Sequence, residues 1–366
     1  MTWRAEPLVF TRAGRVEVQT EVLPAPGPGR VLVASHVSAI SAGTERLAFR
    51  GELPPDLAVD DTLESMRAAT FAYPFRFGYA TVGHVVACGE RVPATDLGRR
   101  VFAFHPHASL CDVARDDAIP IPDGVDDERA ALLASMETAV NLVLDGAPLL
   151  GERVLLLGQG VVGLLTTFLL GRFPLEACIA VEGRARRAAL ARALGATEVV
   201  HPNELAADGD VSRVEGRPHA RFAGARGADL IYELTGDPAV LNDAIALAGY
   251  EARIVLGSWY GGRRAAIDLG GAFHRRRLRL LSSQVSHLGG ALGPRWDRAR
   301  RFEAAWRALA ALPPAAALVS HRFPFAEAQS AYELLSTPGA DVAQVLLTHA
   351  APGPAPSHPS PDRRSP

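Results

Sequence analysis

The 366-residue chain contains no lysine; all 38 of its basic side chains are arginine. Schiff-base chemistry and a lysine general base are therefore excluded. Cysteine is scarce: Cys88, Cys111 and Cys178 lie far apart and show no C-x-x-C spacing. That argues against a disulfide framework and against a cysteine zinc cluster, and the three read as small buried hydrophobes. Charge of one sign is not in excess, with a formal net charge of -2, so nothing favours nucleic acid or an anionic membrane as partner. Long apolar runs are missing. The longest, Val161 to Leu170, is too short to cross a bilayer and reads as a core helix. The first residues lack the basic-then-apolar layout of a signal peptide, which makes the cytoplasm the expected location and a membrane an unexpected partner.

What is present is 48% hydrophobic and 21% charged residues, the balance of a globular chain long enough for two domains. Residues 1–145 read as β-rich. Val31 to Val37 and Val82 to Ala87 are strand-like, and Pro-Gly clusters punctuate them at 24–29 and 119–124. The spacing predicts a compact β-barrel-like domain. An acidic excursion at 56–72 interrupts it, with a short helix expected at 63–67, in the position of a lid. A helix is expected over 126–144. From 146 to 289 strands alternate with helices: Val154–Leu157, Cys178–Val181, Leu230–Tyr232, Ile254–Leu256 and Leu278–Leu281. That alternation implies a doubly wound parallel sheet with helices on both faces. Helices at 297–312 and 325–335 and a strand at 342–347 follow, so that about 290–348 completes the first domain. The Pro/Ser-rich tail 351–366 is expected to be disordered.

Gly158-Gln-Gly-Val-Val-Gly163 follows the first of those strands and opens an apolar helix, and Glu182 ends the next strand. This context, rather than three glycines alone, reads as a Rossmann dinucleotide site. Gly158 makes the turn, Gly160 admits the pyrophosphate, and Gly163 lets helix and strand pack closely. Free N–H groups at Val161 and Val162 then face the phosphates. Glu182 accepts from the ribose hydroxyls and favours NAD, while Arg184, Arg186 and Arg187 keep NADP open. The arginine-rich helix itself reads as solvated surface. Thr235, Gly257 and Ser258 sit at the carboxyl ends of later strands and are candidate contacts to the nicotinamide half, or plain turn residues.

The order of these parts resembles the medium-chain dehydrogenase/reductase (alcohol dehydrogenase-like) superfamily, up to about residue 348. Ser38 to Glu45 resembles its Cys-Gly-Thr-Asp zinc segment, and Phe77-Gly-Tyr-Ala80 its Gly-His-Glu segment. The resemblance implies a Rossmann domain joined to a β-rich GroES-like catalytic domain, hydride transfer with a nicotinamide cofactor, and a homodimer pairing through an edge strand at 278–281. The zinc positions depart from the family. Ala42 stands for the cysteine, Tyr79 for the histidine, Ala80 for the following glutamate, and the third position falls near Ala134. No zinc is expected, since three ligands are needed. His105 and His107 form an H-x-H pair, which reads as part of a surface strand rather than a metal site. The Ile-Ser-Ala-Gly-Thr-Glu run, the Gly-Tyr and the Gly-Gln-Gly-Val-Val-Gly turn resemble the zinc-less branch that contains bacteriochlorophyllide a dehydrogenase.

The chemistry so implied is a metal-free hydride transfer between nicotinamide and a secondary alcohol or ketone, a small-molecule substrate. Tyr79 is the candidate donor to the substrate oxygen, helped by a depressed pKa, with Thr44 assisting. Glu137 is a candidate base or a brace at the domain junction, and Asn141 lies one turn on. Two rivals stay open: a zinc-less quinone or enoyl reductase using NADPH, and a catalytically silent dinucleotide-binding sensor.

Overall fold

The computed structural model describes residues 2–60, 62–205, 227–289, 292–313 and 318–350. The tail 351–366 and Asp61 of the excursion lie outside the described residues.

Six strands form one parallel sheet, in the order Glu198–Val200, Ala177–Val181, Arg153–Leu157, Ala228–Glu233, Ala248–Leu256 and Arg279–Ser282. The central strands are apolar on both faces, as a sheet covered on both sides requires. Leu155, Leu157, Ile179, Ile231 and Ile254 enter one core. The residues between them, Val154, Leu156, Cys178, Leu230 and Val255, enter another on the opposite face. The period of two thus explains why these runs carry no polar side. Numbered along the chain, the order is 3-2-1-4-5-6. It reverses beside Arg153–Leu157, and this switch opens a crevice at the carboxyl ends of the strands.

The second unit is built on Arg30–Ile40, an 11-residue strand. It pairs antiparallel with Thr81–Cys88, Leu110–Ala114 and Gln344–Thr348. Val319–Pro324 lies parallel to the last of these, so the end of the described chain returns to the β-rich sheet. Together the two units form an α/β fold: a Rossmann-like parallel sheet beside a separate β-rich, GroES-like domain. Leu133–Gly146 crosses between them. Its Leu133, Met136 and Val140 share a core with Val82 and Phe102 of the β-rich unit and with Val161 and Leu164 of the glycine-turn helix.

The helix expected at 126–144 is two helices, Asp127–Ala130 and Leu133–Gly146. Asp126 caps the first by accepting from Arg129 N. Among the described residues of the excursion at 56–72, the expected helix is a single 3₁₀ turn, Glu64–Met66. The excursion reaches the other unit through Phe71, whose ring centroid is 6.1 Å from that of Trp259. Among the described residues no helix is long and apolar enough to cross a membrane.

Candidate active site

Strand Arg153–Leu157 ends at Gly158, where φ is +93° and an added Cβ would lie 2.8 Å from Leu234 O. A Cβ on Gly163 would lie 2.2 Å from Gly158 O, so only glycine lets the helix Val161–Leu170 approach the turn. Gly160 differs. It caps that helix, and a Cβ there meets nothing within 4 Å. The first helical turn carries no acidic residue. Its N–H groups therefore face an open, positively biased space, which fits a pyrophosphate. The two glycines should separate experimentally. Gly163→Ala is expected to cost about 1–3 kcal/mol of stability through overpacking. Gly160→Ala should leave the free protein within about 0.5 kcal/mol of the parent and weaken dinucleotide binding instead. Thermal unfolding with and without NADH reads both.

Glu182 is buried, with 6% of its surface exposed. Gln159 N donates to its Oε2 at 3.2 Å and Arg184 N to its Oε1 at 2.9 Å. It therefore braces the glycine turn and keeps only its remaining lone pairs for a ribose. Arg187 is not on a solvated face. Its Nε donates to Val342 O at 2.6 Å, clipping the Rossmann unit to the β-rich one, and its Nη1 lies 3.8 Å from Glu182. Arg186 N donates to Asp341 across the same junction. At the other end of the crevice the turn residues bond one another. Thr235 donates from its hydroxyl to Glu233, and Ser258 Oγ accepts from Gly236 N at 2.9 Å. Gly257 is a packing glycine, since a Cβ would meet Leu234 and Leu142 at 2.6 and 2.7 Å. Thr235 and Ser258 thus hold the turn at the crevice edge, and Gly257 packs beneath it.

Across the crevice, Thr44 precedes the helix Glu45–Arg50 without capping it by its side chain. The Tyr79 hydroxyl donates to Ser41 Oγ, and Thr44 is close enough to pull its pKa down. Three hydroxyls thus converge where the resemblance puts a zinc site. Burial, reinforced by the nearby Glu45 carboxylate, raises the Tyr79 pKa to about 12. The expected depression is corrected: the Ser41 and Thr44 hydroxyls oppose the shift but are outweighed. Ala42, Ala80 and Ala134 offer no ligand atoms. Among the described residues no group of three or more His, Cys, Asp or Glu side chains could hold a metal ion.

Beneath the hydroxyls lies a buried hub that local sequence reading missed. Glu45 is fully buried. It accepts from Ser41 N at 2.7 Å, from the Tyr332 hydroxyl, and lies 3.0 Å from His107 Nε2. His107 is fully buried too, in a loop and not on a surface strand. It fills the space that a side chain at Gly78 would need, since a Cβ there would lie 2.5 Å from the ring. Glu137 is paired with an arginine. Arg301 Nε and Nη2 both donate to its Oε1, at 3.0 and 2.7 Å, and Arg301 Nη1 donates to Asn141 Oδ1 at 2.9 Å. Burial raises the Glu137 pKa, with Arg301 pulling the other way, and the carboxylate braces the junction helix.

A family model described as zinc-binding dehydrogenase matches residues 162–307. D-guloside 3-dehydrogenase from Escherichia coli (strain K12) is 24% identical over 241 residues, covering 64% of this chain. That match spans 66% of the relative, just under two thirds of its length. The likeness supports the medium-chain, alcohol dehydrogenase-like superfamily. Among solved structures, a short chain alcohol dehydrogenase (rspB) from E. coli CFT073, complexed with NADH, superposes with a TM-score of 0.72 at 21% identity, covering 94% of this chain and 99% of that one. For 2R,3R-butanediol dehydrogenase from Bacillus subtilis the TM-score is 0.74 at 19% identity, with the same coverage. These two share the fold.

Proposed function

We propose that the chain is a zinc-independent, NAD(P)-dependent oxidoreductase that transfers a hydride between nicotinamide and a secondary alcohol or ketone. The observation that carries this reading is the set of three hydroxyls, Ser41, Thr44 and Tyr79, standing where the resemblance expects metal ligands. The glycine turn, with open space over Gly160 and free N–H groups behind it, supports the cofactor half. A sugar dehydrogenase among the relatives supports a secondary alcohol as substrate. The alanines at 42, 80 and 134 support a place in the zinc-less branch, whose likeness to bacteriochlorophyllide a dehydrogenase is not extended to the substrate.

When bound, the nicotinamide supplies or accepts the hydride. The residues of the chain manage the oxygen. Because Tyr79 donates to Ser41 Oγ, the Ser41 proton is left for a substrate oxygen. Negative charge growing on that oxygen is stabilised by donors fixed in advance. Tyr79 acts as a neutral donor, since its raised pKa keeps the phenol protonated at neutral pH. NAD is the cofactor we favour, from Glu182 at the end of the strand Ala177–Val181. The edge strand Arg279–Ser282 is where we propose that a second copy pairs.

Titration with NADH and NADPH, followed by nicotinamide fluorescence and by turnover of secondary alcohols after exhaustive EDTA dialysis, tests this reading. Binding and turnover are expected to survive EDTA. Activity lost to EDTA and restored by Zn²⁺ would overturn zinc independence. Binding without turnover across sugars, polyols and ketones would favour the silent sensor, and NADPH-specific reduction of enones the reductase.

A further inference from the structure

The helix Glu45–Arg50 carries Arg46, whose Nε is buried with no hydrogen-bond partner among the described residues. Its charged neighbours are mostly of its own sign: Arg50, Arg184 and Arg263, against the Glu52 carboxylate. Glu52 is already engaged, 2.6 Å from Arg263 Nη2 and 3.6 Å from Arg50 Nη1. Arg184 Nε is likewise buried without a partner among the described residues. Its Nη1 stands 3.8 Å from Glu182, a carboxylate it shares with Arg187. Burial and the neighbouring cations push the Arg46 pKa down. Holding like charges together with unspent donors is unfavourable unless an anion joins them.

The sheet order fixes where this cluster sits. Arg184 follows the strand Ala177–Val181. Arg263 Nη1 donates to Gly236 O at 3.0 Å, beyond the strand Ala228–Glu233. The strand between those two is Arg153–Leu157, which ends in the glycine turn. Arg46 feels the charge of both arginines, and the Glu52 that follows its helix is bonded to Arg263, so Arg46 belongs to the β-rich side of the crevice that holds that turn.

We propose that Arg46, together with Arg184, binds a phosphate group of the dinucleotide, closing on it from the face opposite the glycine turn. This rests on the cofactor reading above and adds a residue of the β-rich unit to the cofactor site. The phosphate has two sources: the pyrophosphate, common to NADH and NADPH, or the ribose 2′-phosphate of NADPH alone.

The test measures Kd for NADH, NADPH and adenosine with the parent protein, Arg46→Gln and Arg46→Lys. Arg46→Gln removes no hydrogen bond among the described residues, so its unliganded Tm is expected to match the parent's or exceed it slightly. Its Kd for a phosphate-bearing ligand is expected to rise about 10- to 100-fold, the loss of a charge-assisted hydrogen bond. Arg46→Lys recovers part of that loss, and adenosine binding does not change. Equal losses for NADH and NADPH place the contact on the pyrophosphate; a loss confined to NADPH places it on the 2′-phosphate. A parent that binds dinucleotide and an Arg46→Gln variant that binds it equally well would overturn this inference alone. A parent that binds neither dinucleotide would overturn the cofactor reading with it.

Discussion

Tyr79→Phe is expected to lower kcat by about 10²–10³-fold, because without the phenol the Ser41 proton is no longer held toward the substrate oxygen and a preset donor to the oxyanion is lost. Ser41→Ala should cost as much, because Tyr79 reaches the substrate oxygen through Ser41 Oγ. The double variant should be scarcely worse than either single one, as for groups acting as a unit. KM should move little, because the donor matters most when charge has developed. The pH profile adds a second reading. With its pKa raised to about 12, Tyr79 should give no ionisation limb between pH 6 and 10. The sign for stability follows from the raised value. The folded state holds the phenolic proton more tightly than the unfolded chain, whose tyrosine titrates near about 10. That contribution is complete below about pH 10 and is lost as pH rises through about 12. Steady-state kinetics on the two variants decide the matter, and full turnover by Tyr79→Phe would remove the phenol from the chemistry.

The parts legible in the sequence were those written in short-range pattern. The run Val154 to Leu157, the turn at 158–163 and the strand ending before Glu182 each carry their signal within a few residues. The parallel sheet assembles as that signal implies, with strands that are apolar on both faces. What was not legible depends on partners far away in the chain. Glu45 meets His107 across 62 residues and Tyr332 across 287. No local period marks such a group, and the only trace is the glycine at 78, whose absent side chain leaves room for the His107 ring. Arg187 looked like one more arginine on a charged helix because its acceptor, Val342 O, is 155 residues on. Tyr79 was found as a position, but the direction of its pKa shift depends on burial, which sequence spacing does not report. Arg46 went unremarked for the same reason: it becomes notable only when Arg184 and Arg263 arrive beside it from another unit.

The same long-range logic gives the largest expected effect on stability. Arg301 and Glu137 are 164 residues apart, with side chains only 4% and 6% exposed. The bond joins the helix Arg298–Ala310 to Leu133–Gly146. Such a pair gains little over well-packed apolar residues, because burying two charges costs about as much as their attraction returns. Breaking it is another matter. Arg301→Met leaves the Glu137 carboxylate buried and unpaired and is expected to cost about 3–5 kcal/mol, read from urea unfolding at 25 °C. Replacing both, Arg301→Met with Glu137→Leu, should recover at least half of that loss, less whatever Asn141 Oδ1 forfeits when its donor is gone. The single variant should also respond to pH in a defined direction. Without Arg301, burial is opposed only by the attraction of Arg298 and drives the Glu137 pKa further up, so the folded state favours the protonated carboxyl. Stability is then highest at acid pH and falls as pH rises through the shifted value, whereas the double variant lacks that slope. If Arg301→Met and the double variant were equally stable at pH 7, the buried charge would not be what the arginine compensates. Glu137 would then have to be reconsidered as a group that changes protonation during turnover.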